Sequence, residues 1–162
     1  MNIVVGVSDL KVSNEIDNML VTYSLGSCIG VAIYDPIAKV AGLLHFMLPE
    51  SSLDRNKAQN SPYMFADTGI PMLFKSTYEY GAQKKRMKVI VAGGSQVLDQ
   101  DGYFNIGKRN YAAVRKILWK NNVMIDYEDV GGNNNRTIKM AVKDGRTTLK
   151  VSGLGEKEIC LT

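Results

Sequence analysis

The chain has one histidine and two cysteines, so any cysteine–histidine chemistry must use His45 with either Cys28 or Cys160. An unperturbed thiol is only a few per cent thiolate at neutral pH, whereas a neighbouring imidazolium lowers the thiol pKa and later supplies the proton that a leaving amine needs. That pairing is nucleophilic catalysis. Cys28 also sits in Leu25-Gly26-Ser27-Cys28-Ile29-Gly30. Two glycines there let the backbone turn sharply and let a substrate carbonyl approach main-chain N–H donors.

The elements that must bring the two residues together read as one β-hairpin. The run 28–34 is strand-like and rich in β-branched residues, and 39–47 is a second apolar run of strand length. Between them, Asp35-Pro36-Ile37-Ala38 has the Asp and Pro that a type I turn prefers. A symmetric loop pairs Tyr34 with Lys39 and sets Cys28 directly opposite His45, with Cβ atoms roughly 4.5–5.5 Å apart. A one-residue bulge would instead send the two side chains to opposite faces. The residues alone also leave open a plain reading, in which Cys28 is a small buried hydrophobe and His45 a satisfied interior histidine.

Three stretches carry a resemblance to a known family: Thr22-Tyr23-Ser24-Leu25-Gly26-Ser27-Cys28-Ile29-Gly30-Val31, then Tyr34-Asp35-Pro36, then Gly42-Leu43-Leu44-His45-Phe46-Met47-Leu48-Pro49. They are similar to the signature of CheD, the chemoreceptor glutamine deamidases of bacterial and archaeal chemotaxis. The similarity continues through Ala66-Asp67-Thr68-Gly69-Ile70-Pro71, Gly93-Gly94, Ile106-Gly107-Lys108-Arg109-Asn110 and Gly131-Gly132-Asn133-Asn134-Asn135-Arg136. Lys108 and Asn135 depart from the family pattern, where an acidic residue and a glycine are common. The resemblance implies a catalytic Cys28, a histidine at His45, and Thr22 orienting the imidazole. Gly26 and Ser27 would border an oxyanion or substrate site. It further implies conversion of receptor glutamines to glutamate without a cofactor. The implied partners are chemoreceptor cytoplasmic domains as substrate and the CheC phosphatase, with the protein monomeric when alone. Two rivals are a regulatory binding module that needs no turnover and a cysteine hydrolase of a small amide.

Composition narrows the classes. With 162 residues, 45% of them apolar, one domain spanning 1–162 can bury a real core. The net charge of +4 is modest. Its one basic cluster, Lys84-Lys85-Arg86-Lys88, reads as a solvated loop or helix end, or as a surface that steers toward acidic partners or a membrane face. No aromatic-interleaved basic stripe points to nucleic acid. No signal-peptide pattern opens the chain and no run of about eighteen apolar residues crosses it, so a soluble, cytoplasmic protein without membrane insertion is expected. Cys28, His45 and Cys160 lack the spacing of a metal site, and Cys160 reads as a strand or tail residue without chemistry. The segment Gly102-Tyr103-Phe104-Asn105-Ile106-Gly107-Lys108-Arg109 has phosphate-loop spacing, but Arg109 replaces the Mg²⁺-ligating hydroxyl and an acidic loop precedes it. A turn feeding a helix is the expectation.

Along the chain, 49–61 reads as polar loop. Met64, Ile70, Leu73, Phe74 and Tyr78 fit a helix that Gly81 ends, and 87–92 reads as a buried strand. A second helix runs from Asn110 to the stop at Asn121-Asn122. The segments 123–130, 137–142 and 147–151 read as a strand meander. Gly131 to Arg136 is first a strand connection that could border the site. The fold class expected is α+β: a layered α/β sandwich of mainly antiparallel packed sheets with helices on the outer faces. The resemblance adds likeness to cysteine hydrolases of the cytotoxic necrotizing factor type.

Overall fold

The structure is a computed structural model that describes residues 1–96 and 105–161. In chain order its strands are β1 (Asn2–Val4), β2 (Asp9–Ser13), β3 (Met19–Leu25), β4 (Ile29–Asp35), β5 (Val40–Phe46), β6 (Lys88–Gly93), β7 (Tyr127–Val130), β8 (Arg136–Ala141), β9 (Thr147–Val151) and β10 (Gly155–Ile159). The helices are α1 (Arg55–Asn60), α2 (Ala66–Tyr78) and α3 (Ile106–Lys120).

β4 and β5 are buried at every position, as strands covered on both faces must be. They form the centre of one five-stranded sheet, β2-β5-β4-β6-β7. On one face Val31, Leu44 and Phe46 pack with Ile70, Leu73 and Phe74 of α2 and Val114 and Leu118 of α3. On the other, Ala32, Leu43 and Ile90 meet Leu20, Ile138 and Leu149 of the second sheet, β1-β3-β8-β9-β10. The α+β sandwich expected from sequence is present, but both principal helices cover the same sheet. Among the described residues no helix covers the far face of the second sheet, and β8 and β9 accordingly bury only alternate residues.

The β4–β5 hairpin pairs Asp35 with Val40 and Gly30 with His45. The loop has four residues, as expected, but it begins one residue later than the symmetric reading placed it. Asp35 remains in the ladder, its carboxylate accepting from the Ile37 and Ala38 amides at 2.9 and 3.1 Å, while Lys39 closes the loop at φ 55°. The register therefore moves by two residues, which corrects the direct opposition of Cys28 and His45 but keeps both on one face.

Two further expectations change. The strand within 123–130 is confined to β7, and it belongs to the other sheet, parallel to β6, so the C-terminal meander is β8-β9-β10. Parallel neighbours need a crossover, and α3 supplies it. The polar stretch 49–61 contains α1, capped by the Asp54 carboxylate accepting from the Lys57 amide at 3.1 Å. Of the phosphate-loop segment, 106–109 form the first turn of α3, while 102–104 lie outside the described residues.

Candidate active site

Thr22 is turned inward with Leu20 by the regular alternation of β3, and the strand is bulged just beyond it. Thr22 pairs with Ile138 and Leu25 with Arg136, so one extra residue is absorbed between them, with Ser24 at φ 56°. Thr22 and Leu25 thereby both point inward while Tyr23 and Ser24 are exposed. Across the gap between the sheets, Thr22 Oγ1 lies 2.8 Å from His45 Nδ1 and also donates to the Val5 carbonyl at 2.7 Å. A hydroxyl has one proton. Given to Val5, it leaves Oγ1 to accept from Nδ1–H, which puts the imidazole lone pair on Nε2.

Gly30 opposite His45 keeps this space open. A Cβ there would stand 2.9 Å from Ile138 Cδ1, 3.0 Å from Leu25 Cδ1 and 3.5 Å from Thr22 Cγ2.

His45 is 1% exposed, and its Nε2 is buried with no hydrogen-bond partner among the described residues. Burial drives its pKa down to about 4, opposed only weakly by the Asp9 carboxylate on the neighbouring strand position. The resting imidazole is therefore neutral at physiological pH, a base and not the imidazolium that the residue pairing suggests. Cys28 packs, half-buried, against the inter-sheet core that His45 also faces. With Gly30 opposite His45, Cys28 lies two residues before that pair, one residue before the ladder begins at Ile29.

The loop carrying Cys28 is held by three consecutive carbonyls. Gly26 O accepts from the Ser95 amide at 2.9 Å, Ser27 O from Asn110 Nδ2 at 2.9 Å, and Cys28 O from the Gly94 amide at 2.9 Å. Ser95 is fully buried, and its hydroxyl donates to Asn134 O at 2.7 Å while accepting from Arg136 Nη1 at 2.9 Å. Arg136 also pairs with Asp129 at 3.0 Å. The Gly131–Arg136 segment thus backs the loop from inside, and the Arg136 guanidinium does not line its mouth. Only glycine fits at 93, where a Cβ would stand 2.2 Å from Cys28 O.

A family model for CheD, described as chemotactic sensory transduction, matches residues 47–151. A probable chemoreceptor glutamine deamidase, CheD 1 of Syntrophus aciditrophicus, is 57% identical over 152 residues, 94% of this chain and 95% of its own. The chain belongs to the CheD family. A probable chemoreceptor glutamine deamidase CheD of Solibacter usitatus is 47% identical over 151 residues, covering 93% of this chain and 89% of its own. The CheD 2 of Anaeromyxobacter dehalogenans, named in the same way, is 43% identical over 148 residues, 91% of this chain and 93% of its own. Thr22, Cys28 and His45 lie before the family-model match.

In this CheD chain the structure brings Thr22 to His45 and sets Cys28, Ser27 and Gly26 on the adjoining half-buried loop. Cys160 lies apart, exposed just after β10. Among the described residues no disulfide is present, no cluster of three or more His, Cys, Asp or Glu side chains is placed to hold a metal, and no helix is long and apolar enough to cross a membrane. Sequence reasoning missed Asn110 as part of this assembly. Its spacing of four from Val114 and eight from Leu118 puts it on the buried stripe of α3, and a polar residue there is the signal.

Proposed function

We propose that this CheD-family protein is a protein-glutamine glutaminase acting on chemoreceptor cytoplasmic domains, with Cys28 as nucleophile, His45 as acid–base and Thr22 as its orienting partner. The observation that carries it is the orphaned Nε2 of a neutral, Thr22-anchored imidazole, paired across the ladder with Gly30, two residues after the half-buried Cys28, in a chain whose relatives are named as chemoreceptor glutamine deamidases.

Attack begins as the Cys28 thiol passes its proton to Nε2 and Sγ bonds to the side-chain amide carbon of glutamine. Negative charge moves to the amide oxygen, where main-chain N–H groups of the Ser27 and Cys28 loop stabilise it. The imidazolium, its Nδ1–H held by Thr22, then protonates the departing nitrogen, and ammonia leaves a thioester. A water molecule gives its proton to Nε2 and attacks the thioester carbon. The Cys28 sulfur departs, recovers the proton, and glutamate is released. The half-buried position of Cys28 suits a glutamine presented on a protein surface.

The family likeness supports three finer points: one catalytic unit over 1–162 in the cytoplasm, a sandwich akin to the cytotoxic necrotizing factor hydrolases, and docking of a CheC-type phosphatase on a monomer. The test is ammonia release and peptide mapping after incubation with a receptor cytoplasmic fragment. Each modified glutamine should gain about one dalton. An unmodified fragment alongside turnover of a small amide would overturn the protein-deamidase reading, as would binding with no turnover at all.

A further inference from the structure

We propose that Asn110 is a positioning residue of this site, which aims the Cys28 N–H at the developing oxyanion. The proposal rests on the reading of Cys28 as nucleophile. The β4–β5 ladder ends at the pair Ile29 and Phe46, one residue after Cys28. Asn110, fully buried on α3, supplies a rung made of side chain: its Nδ2 donates to Ser27 O at 2.9 Å and to Met47 O at 2.8 Å. One acceptor directly precedes Cys28. The other lies two residues beyond His45.

Peptide planarity turns this clamp into an orientation. In a trans peptide the carbonyl and the following N–H point in opposite directions. Drawing Ser27 O toward α3 therefore projects the Cys28 N–H away from α3, and the Gly26 and Cys28 carbonyls, tied to Ser95 and Gly94, keep that peptide from rotating. The task needs two donors on one uncharged atom in a site without water access. An asparagine amide meets it, whereas a lysine or arginine would bury a charge. Gly107 permits the approach, since a Cβ there would stand 2.4 Å from Ser95 O and push the first turn of α3 outward.

The experiment compares two reactions of the same thiol in wild type, Asn110→Ala and Asn110→Asp, well below each variant's melting temperature. Deamidation of a receptor cytoplasmic fragment develops an oxyanion, whereas alkylation of Cys28 by iodoacetamide displaces iodide at a methylene and develops none. Losing one aligned oxyanion donor costs about 10²–10³-fold in kcat. Asn110→Ala should show a kcat loss of that order with a much smaller change in KM, while Cys28 alkylation stays within about threefold of wild type because thiolate supply is untouched. Asn110→Asp offers one donor only when protonated, so its kcat relative to wild type should rise as pH falls. Parallel loss of both reactions, undiminished deamidation in Asn110→Ala, or a pH-independent ratio for Asn110→Asp would overturn the role. Failure of both variants to fold would also overturn it, assigning Asn110 to the fold alone. A wild-type protein that leaves the fragment unmodified would instead overturn the deamidase reading itself.

Discussion

Thr22 and His45 are joined across the gap between two sheets, Oγ1 to Nδ1 at 2.8 Å, by a hydroxyl that already donates to the Val5 carbonyl. Thr22→Val removes both bonds at nearly constant volume. It leaves a buried Nδ1–H and a carbonyl unsatisfied, so thermal or chemical unfolding should show a loss of about 1–3 kcal/mol. Deamidation should fall at least about tenfold, as expected when the orienting member of a triad is lost. Thr22→Ser keeps the hydroxyl and should stay within about threefold in rate. Equal activity in the Val and Ser variants would contradict an orienting role.

The single histidine makes its titration directly readable. Its folded pKa of about 4 lies below the 6.5 of an unperturbed imidazole. The unfolded chain therefore binds a proton near pH 6.5 that the native protein refuses until about 4. Stability tied to this group is complete above pH 6.5 and is lost as pH falls toward 4, up to about 3 kcal/mol in all. The imidazole resonance followed by NMR should show one transition near 4 with Nδ1 protonated above it. The acid limb of kcat/KM set by this base should lie correspondingly low. A midpoint near 6.5 would contradict a neutral, desolvated base.

Asp35 couples the hairpin turn to the site by setting the register. Burial alone would raise its pKa. The Arg86 guanidinium, at 2.8 Å, and the Gln83, Ala38 and Ile37 amides outweigh that and hold the carboxyl below its usual value. Its share of stability is thus present above the ordinary carboxylate range and lost as pH falls through the depressed folded pKa. Arg86→Ala leaves a buried carboxylate unpaired and should cost about 3–5 kcal/mol in denaturant unfolding. A cost below about 1 kcal/mol would show the pair to be incidental.

A CheC-type partner and the receptor fragment should compete, because the half-buried Cys28 loop is the surface that a substrate-like partner would cover. The alternative docking surface is the basic run 84–88, but two of its members are engaged: Arg86 with Asp35 and Lys84 with the Asn121 carbonyl at 2.8 Å. Calorimetry on a bulky Cys28 adduct should show weakened partner binding. Charge reversal at Lys85 and Lys88 should leave it unchanged, and the opposite pattern would place the partner on the remote face.

Much of this assembly is written in residue types. The doubly apolar runs identify β4 and β5, and Asp35-Pro36 identifies their turn. What escaped was long-range. Register depended on Lys39 entering the left-handed region, so that Asp35 stayed in the ladder. The short β1 and β2 and the pairing of β3 with β8 that turns Thr22 inward depend on partners distant in sequence, which local periodicity does not report. The parallel pairing of β7 with β6 likewise follows from α3 crossing the sheet. The neutral state of His45 is a consequence of three-dimensional burial, and the pairing of a thiol with an imidazole in sequence points the other way.

The most direct measurement is the intact mass of a receptor cytoplasmic fragment after incubation with wild type, Cys28→Ala, His45→Ala and Cys160→Ala. Wild type and Cys160→Ala should each add about one dalton per converted glutamine. Cys28→Ala should add none while melting close to wild type, and His45→Ala should add little or none. Substantial conversion by Cys28→Ala, or a dead Cys160→Ala, would contradict the assignment of Cys28 as the nucleophile.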